Sequence, residues 1–221
     1  MLEDRSINQE TRRRLLDAAG EIFSERGFRN ATVREICARA EANVAAVNYH
    51  FGDKERLYSE TLRFWFGQAM EKYPPTLGTT PDSSVEDRLA AFIRSFLLRI
   101  LDTGRPSWFG KLIAREMADP TPALDERVRE NMRPMRDRLL GILREMLGPD
   151  ATDTQLRHAA ASVVGQIVFY HVCRPALDRM FAGVVYDMNE IESLAKHITQ
   201  FCLAGLREMK SANAGADSRQ S

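Results

Sequence analysis

The chain has 221 residues, 44% of them hydrophobic, enough for one large or two modest globular domains. Its 31 basic and 31 acidic residues cancel, which argues against binding driven by bulk charge but leaves room for a local set of phosphate contacts. Cys37, Cys173 and Cys202 have neither metal-like nor disulfide-framework spacing, and no membrane-length apolar run or signal peptide is seen, so a cytoplasmic chain is expected.

Residues 8–26 form the first expected helix, with Leu15, Ala19, Ile22 and Phe23 inward and Gly27 as its stop. Arg12, Arg13 and Arg14 stand near its start, where cations oppose the helix dipole; they are either a solvated face or phosphate contacts. Thr32 and Glu35 make a capping box ahead of Val33, Ile36, Cys37 and Ala40, which share one face of a two-turn helix. The joint Ala40–Asn43 is tight, and Asn43 caps a third helix through Val44, Val47 and His50. Gly52 breaks the chain, and Asp53 caps a fourth helix carrying Leu57, Tyr58, Thr61, Leu62 and Trp65, which ends before Pro74-Pro75.

Residues 74–84 (PPTLGTTPDSS) read as a flexible loop. Apolar stripes follow through Val85–Ile100, through Trp108, Phe109, Leu112 and Ile113 after Gly104-Arg105-Pro106, and through Leu124–Met146 with a kink or boundary at Pro134. Residues 153–173 are apolar on nearly all sides, and 189–209 form a last amphipathic helix. The tail 211–221 has no apolar anchor and is expected to be disordered.

Two short helices across a tight joint have the layout of a helix-turn-helix, which offers its second helix to the major groove. Between residues 43 and 51 there is no Lys or Arg, so an arginine–guanine contact cannot come from its centre. Asn48 toward adenine and the methyls of Ala45, Ala46 or Val47 toward thymine are the candidate base contacts. Arg12, Arg34, Tyr49, His50 and Lys54 are candidate phosphate contacts, and Thr32 and Asn43 complete the DNA-binding set. The same residues also fit a plain helical hairpin with Tyr49, His50 and Phe51 as core.

A single reader covers half a site, so a second copy is expected. Residues 159–170 and 190–206 are the candidate four-helix interface, with Val163, Ile167, Tyr170, Leu194, Ile198 and Phe201 at its centre; alternatively 159–170 is a central helix within the chain. Trp108, Phe109, Leu112, Arg115, Glu116, Phe169, Tyr170 and His171 mix apolar walls with polar groups and are the candidate small-molecule site; ordinary helix packing is the competing reading. Four histidines without ligand spacing, and the absence of catalytic or phosphate-loop motifs, give no metal, no cofactor and no enzyme.

The ordered set RRRLLDAAGEIFSERGFRNATVREICARAEANVAAVNYHF followed by GDKERLY resembles the TetR family of transcriptional regulators. The features that carry the resemblance are Gly27-Phe28, Thr32, the turn Ala40–Asn43, Tyr49-His50-Phe51 and Lys54-Glu55. One departure is Glu41, where the turn usually has glycine, at a cost of about 1 kcal/mol if the residue is left-handed. WFGKLIAREMADPTPALD, RPMRDRLLGILREMLG and VVGQIVFYHVCRPALDRMF are similar to one subgroup, the CecR-like regulators.

The resemblance implies an all-α fold: an N-terminal three-helix helix-turn-helix domain (1–53) joined to a larger helical-bundle ligand-binding and dimerisation domain (54–210), then the tail. It implies a homodimeric, ligand-responsive regulator of efflux or stress genes, a repressor released from palindromic double-stranded operator DNA by a small-molecule inducer. The alternative is a non-catalytic helical dimer whose helix-turn-helix is structural.

Overall fold

The computed structural model describes residues 2–102, 108–181, 183 and 185–217, with backbone alone for 2–6 and 213–217. Among the described residues the chain is helical, as expected. The helices are α1 (Leu2–Asn30), α2 (Val33–Arg39), α3 (Val44–His50), α4 (Lys54–Lys72), α5 (Val85–Leu101), α6 (Trp108–Ala118), α7 (Pro122–Arg127), α8 (Arg133–Leu147), α9 (Asp153–Val172), α10 (Arg174–Met180) and α11 (Met188–Asp217). A π-helical stretch, Val128–Met132, joins α7 to α8, and Pro134 falls in the first turn of α8. A proline is tolerated there because its missing N–H would have had no intrahelical partner.

Several boundaries follow from local chemistry. Gly27 adopts φ 77° and interrupts α1, after which a last turn runs to Asn30. Thr32 and Glu35 form the full capping box on α2, and Asn43 caps α3 by accepting from the Ala45 N–H at 2.8 Å. Thr152 and Gln155 make a second capping box on α9 that the sequence reading overlooked. α9 ends at Val172, and Pro175 sits in the first turn of α10. α11 continues to Asp217, so the residues read as a disordered tail are helical to that point, and 218–221 lie outside the described residues. Gly104, Arg105 and Pro106 also lie outside them.

The chain makes two compact units, Met1–Ala69 with Gly104–Asn131 and Met70–Thr103 with Met132–Ser221. The division at 53/54 read from the sequence therefore differs from the compact units: most of α4, together with α6 and α7, shares a core with the helix-turn-helix. The physical reason is area. α2 and α3 are seven residues each and bury only Ile36, Cys37 and Val47. Leu57, Leu62 and Trp65 of α4 and Trp108, Phe109 and Leu112 of α6 supply the larger apolar surfaces that α1 needs. The second unit is built on α5, α8, α9 and α11, with Leu89, Phe92, Leu97, Leu143, Ile167 and Ile198 in its core. Arg88–Glu145 and Arg94–Glu192 ion pairs tie α5 to α8 and to α11 at its surface.

The α1–α6 contact in the first unit is unusually close. A Cβ added at Gly20 would lie 2.0 Å from Cη2 of Trp108, whose side chain is buried. Gly20→Ala is therefore expected to destabilise the protein by about 1–3 kcal/mol through overpacking; thermal unfolding of the variant should show a lower midpoint, and an unchanged midpoint would mean the indole moves aside freely.

Candidate nucleic-acid interface

The α2–α3 joint is a Schellman-type turn. The Ala42 N–H donates to the Cys37 carbonyl at 2.9 Å and the Glu41 N–H to the Ala38 carbonyl at 3.3 Å. Glu41 occupies the left-handed position, with φ 48°, where glycine carries no steric penalty. The strain of about 1 kcal/mol is accepted because both flanking hydrogen bonds are made and Ala42 packs on the core.

This turn sets which side of α3 faces outward. Val47 and Phe51 are buried, and Ala46 packs against the same core. Ala45 and Asn48 are exposed, as is Tyr49 at 75%. The outward face thus holds Ala45, Asn48 and Tyr49 of the predicted set, while Ala46 turns inward. The Asn8 amide reaches the Tyr49 hydroxyl at 3.4 Å, so α1 steadies the ring from one side. His50 is half-buried between Tyr49 and Phe51, with ring centroids at 5.1 and 5.9 Å. Burial, helped by the charge of Arg12, holds its pKa below the usual histidine value, so the imidazole is neutral at pH 7. The hairpin alternative, with Tyr49 and His50 in the core alongside Phe51, holds only for Phe51.

The cations around this face are largely paired within the protein. Arg12 binds Glu60 at 2.7 Å, and Arg13 binds Asp17 while lying over Phe64 and Trp65. Arg34 is exposed at the start of α2 and has no ion pair among the described residues. Thr32 uses its hydroxyl in the capping box and Asn43 its carbonyl oxygen in capping α3, so both shape the site before they touch any ligand.

Lys54 departs most from expectation. Its ammonium donates to the carbonyls of Phe28, Arg29 and Ala31 at 3.0, 3.4 and 3.1 Å and lies over the Phe28 ring. These carbonyls close the interrupted end of α1, where the helix dipole is negative. Lys54 is thus an anchor between α1 and α4 rather than a free phosphate ligand.

The candidate small-molecule residues divide between the two units. Trp108, Phe109 and Leu112 are buried in the first unit's core. Arg115, a candidate ligand contact, donates to the Ser24 and Glu25 carbonyls at 2.6 and 2.9 Å. Glu116 is 2% exposed: one oxygen accepts from the Tyr58 hydroxyl at 2.6 Å, the other from the Thr121 N–H and hydroxyl at 2.9 Å each. Burial, then the hydrogen bond to Glu116, pushes the Tyr58 pKa up. Arg115 and Glu116 are accordingly part of the first unit's framework. Phe169, Tyr170 and His171 lie on α9 of the second unit.

Of the candidate dimer residues, Val163, Ile167, Leu194 and Ile198 are buried within the second unit and face its own core. Phe169 and Val172 on the other side of α9, and Phe201 at the flank of the α11 stripe, are exposed, at 48, 64 and 64%. Phe169, Tyr170 and Ile198 line, with Gly165, Gln166 and His197, an open groove of about 320 Å³. The all-round apolar character of α9 signalled a second apolar face but not its phase.

A helix-turn-helix head with an exposed neutral reader, carried with a second helical unit, defines a class: DNA-binding regulators of transcription. The comparisons are specific. Residues 15–61 match the N-terminal region of the bacterial regulatory proteins of the tetR family, and residues 85–206 match the C-terminal domain of the HTH-type transcriptional dual regulator CecR. The chain belongs to the TetR family of transcriptional regulators. It is 26% identical to the dual regulator CecR of Shigella flexneri, over 86% of this chain and 89% of that protein. It is 27% identical to the transcriptional repressor NicS of Pseudomonas putida, over 89% and 92%. Among solved structures, FadR of Bacillus subtilis in complex with stearoyl-CoA has the same fold, with a TM-score of 0.64 at 17% identity, over 87% of this chain and 97% of that one. Members of the family bind DNA and ligand as dimers and are typically not enzymes. Among the described residues no helix is long and apolar enough to cross a membrane.

Lys54→Met keeps the apolar stem and removes the ammonium. It is expected to lower stability by about 1–2 kcal/mol as the α1 carbonyls lose their partner, without flattening the salt dependence of DNA binding. A denaturant titration and a salt series on the same variant check both halves.

Proposed function

We propose that this chain is a sequence-specific, ligand-responsive repressor that leaves a palindromic operator when a small molecule binds, and that it works in the cytoplasm, where that DNA is. The observation that carries this reading is the exposed, neutral face of α3, which on this reading would put Asn48 and Ala45 on base edges and Tyr49 on phosphate. Arg34 is the cation best placed in the sequence to add a phosphate contact beside it. The repressor assignment is supported by the likeness to the repressor NicS, and the CecR-like subgroup by the likeness to the dual regulator CecR and by the match over 85–206.

The exposed apolar face of α9 and α11, with Phe169, Val172 and Phe201 as its large members, supports pairing of two copies that would set two readers at half-site spacing. α4 runs without a break from Lys54 to Lys72 and passes from the first unit into the second. Ligand binding in the body would act through this helix on reader spacing, and by linkage operator DNA would weaken ligand binding by the same factor.

The test uses a duplex selected from a random-sequence library by the wild-type chain. Asn48→Ala is expected to relax preference at one base pair per half-site, a discrimination of about 1–3 kcal/mol. Tyr49→Phe is expected to weaken selected and scrambled duplexes alike. Equal losses on both duplexes for the Asn48 variant would rule out base reading by that residue.

A further inference from the structure

Glu60 of α4 is the shared partner of two arginines. Its Oε2 accepts from Arg12 of α1 and from Arg63 of α4, both at 2.7 Å. The cluster is accessible to solvent: the Arg12 side chain is 35% exposed and that of Glu60 28%. Arg12 also lies 5.4 Å from the centre of the Phe51 ring, and its charge is felt by His50. Its guanidinium therefore stands at the C-terminal end of α3, by Phe51 and His50.

The packing of α1 on α4 does not depend on this pair. Leu15, Leu57 and Leu62 are fully buried in the same core. A partly exposed ion pair adds little to stability in any case. What Glu60 changes is the electrostatics of the reader's edge. A phosphate oxygen offers Arg12 the same kind of charge-assisted hydrogen bond that the carboxylate already supplies, so only the difference between the two favours DNA.

We infer that Glu60 is an internal competitor for the DNA backbone: it holds Arg12 in a pair that phosphate must displace, and so lowers operator affinity and its salt dependence. This rests on α3 being the element that enters DNA. It makes Glu60 a positioning residue that acts through Arg12.

The experiment measures binding of the full-length chain to a duplex selected by the wild-type chain from a random-sequence library, across a salt series. Glu60→Gln and Glu60→Ala are each expected to tighten binding about 3- to 10-fold at low salt and to steepen the slope of log affinity against log salt by about 0.9, one released cation. In an Arg12→Gln background the Glu60 changes should give no gain. Unchanged or weaker binding in both Glu60 variants, or a gain that survives loss of Arg12, overturns the inference while the DNA reading stands. If the wild-type chain enriches no duplex at all, the DNA reading itself falls and takes the inference with it.

Discussion

The first unit depends on how the end of α1 is closed. Gly27 interrupts that helix and leaves carbonyl oxygens on either side of the break without helical partners. Two cations from distant positions take them. Arg115 of α6 holds the carbonyls of Ser24 and Glu25, and Lys54 of α4 holds those of Phe28, Arg29 and Ala31. Partly buried carbonyls without donors would cost far more than a surface ion pair contributes. The same two contacts fix α4 and α6 against the reading head. Two seven-residue helices are too short to hold a geometry alone, and they inherit it from this longer frame.

The electrostatic character of the head follows from the same economy of charge. Lys54 and Arg115 face carbonyls, Arg12 faces Glu60, Arg13 faces Asp17, and His50 is held neutral. What α3 presents outward is amide, hydroxyl and methyl. On the proposed reading, a head of this kind would draw less on nonspecific attraction to phosphate and more on matching base edges. The zero net charge of the chain is consistent with that at the level of composition.

Features that depend on neighbours a few residues away were legible in the sequence. The Thr32–Glu35 box, the Asn43 cap and the boundary near Pro134 are set by side chains acting on their own backbone, and the break at Gly27 by the lack of one. Glu41 was legible as an anomaly for the same reason, and its left-handed φ is the form the anomaly takes. Roles decided by long-range partners were not legible. Nothing near Lys54 or Arg115 in the chain says that each ends on a carbonyl of α1, 25 to 91 residues away. The face of α9 was ambiguous because Val163, Ile167, Phe169 and Val172 are all apolar, and only packing tells which pair points inward. α6 belongs to the first unit and meets α1 at the Trp108–Gly20 approach, which periodicity does not distinguish from any other small residue beside any other aromatic.

Both tryptophans of the chain, Trp65 and Trp108, lie in the first unit, edge to face with ring centres 5.4 Å apart. The Arg13 guanidinium sits 4.8 Å from the Trp65 ring. Intrinsic indole emission is therefore a property of the first unit alone, and the second unit contributes only the shorter-wavelength emission of its tyrosines. The protein carries its own optical label, placed so that a change in the head can be followed separately from a change in the body.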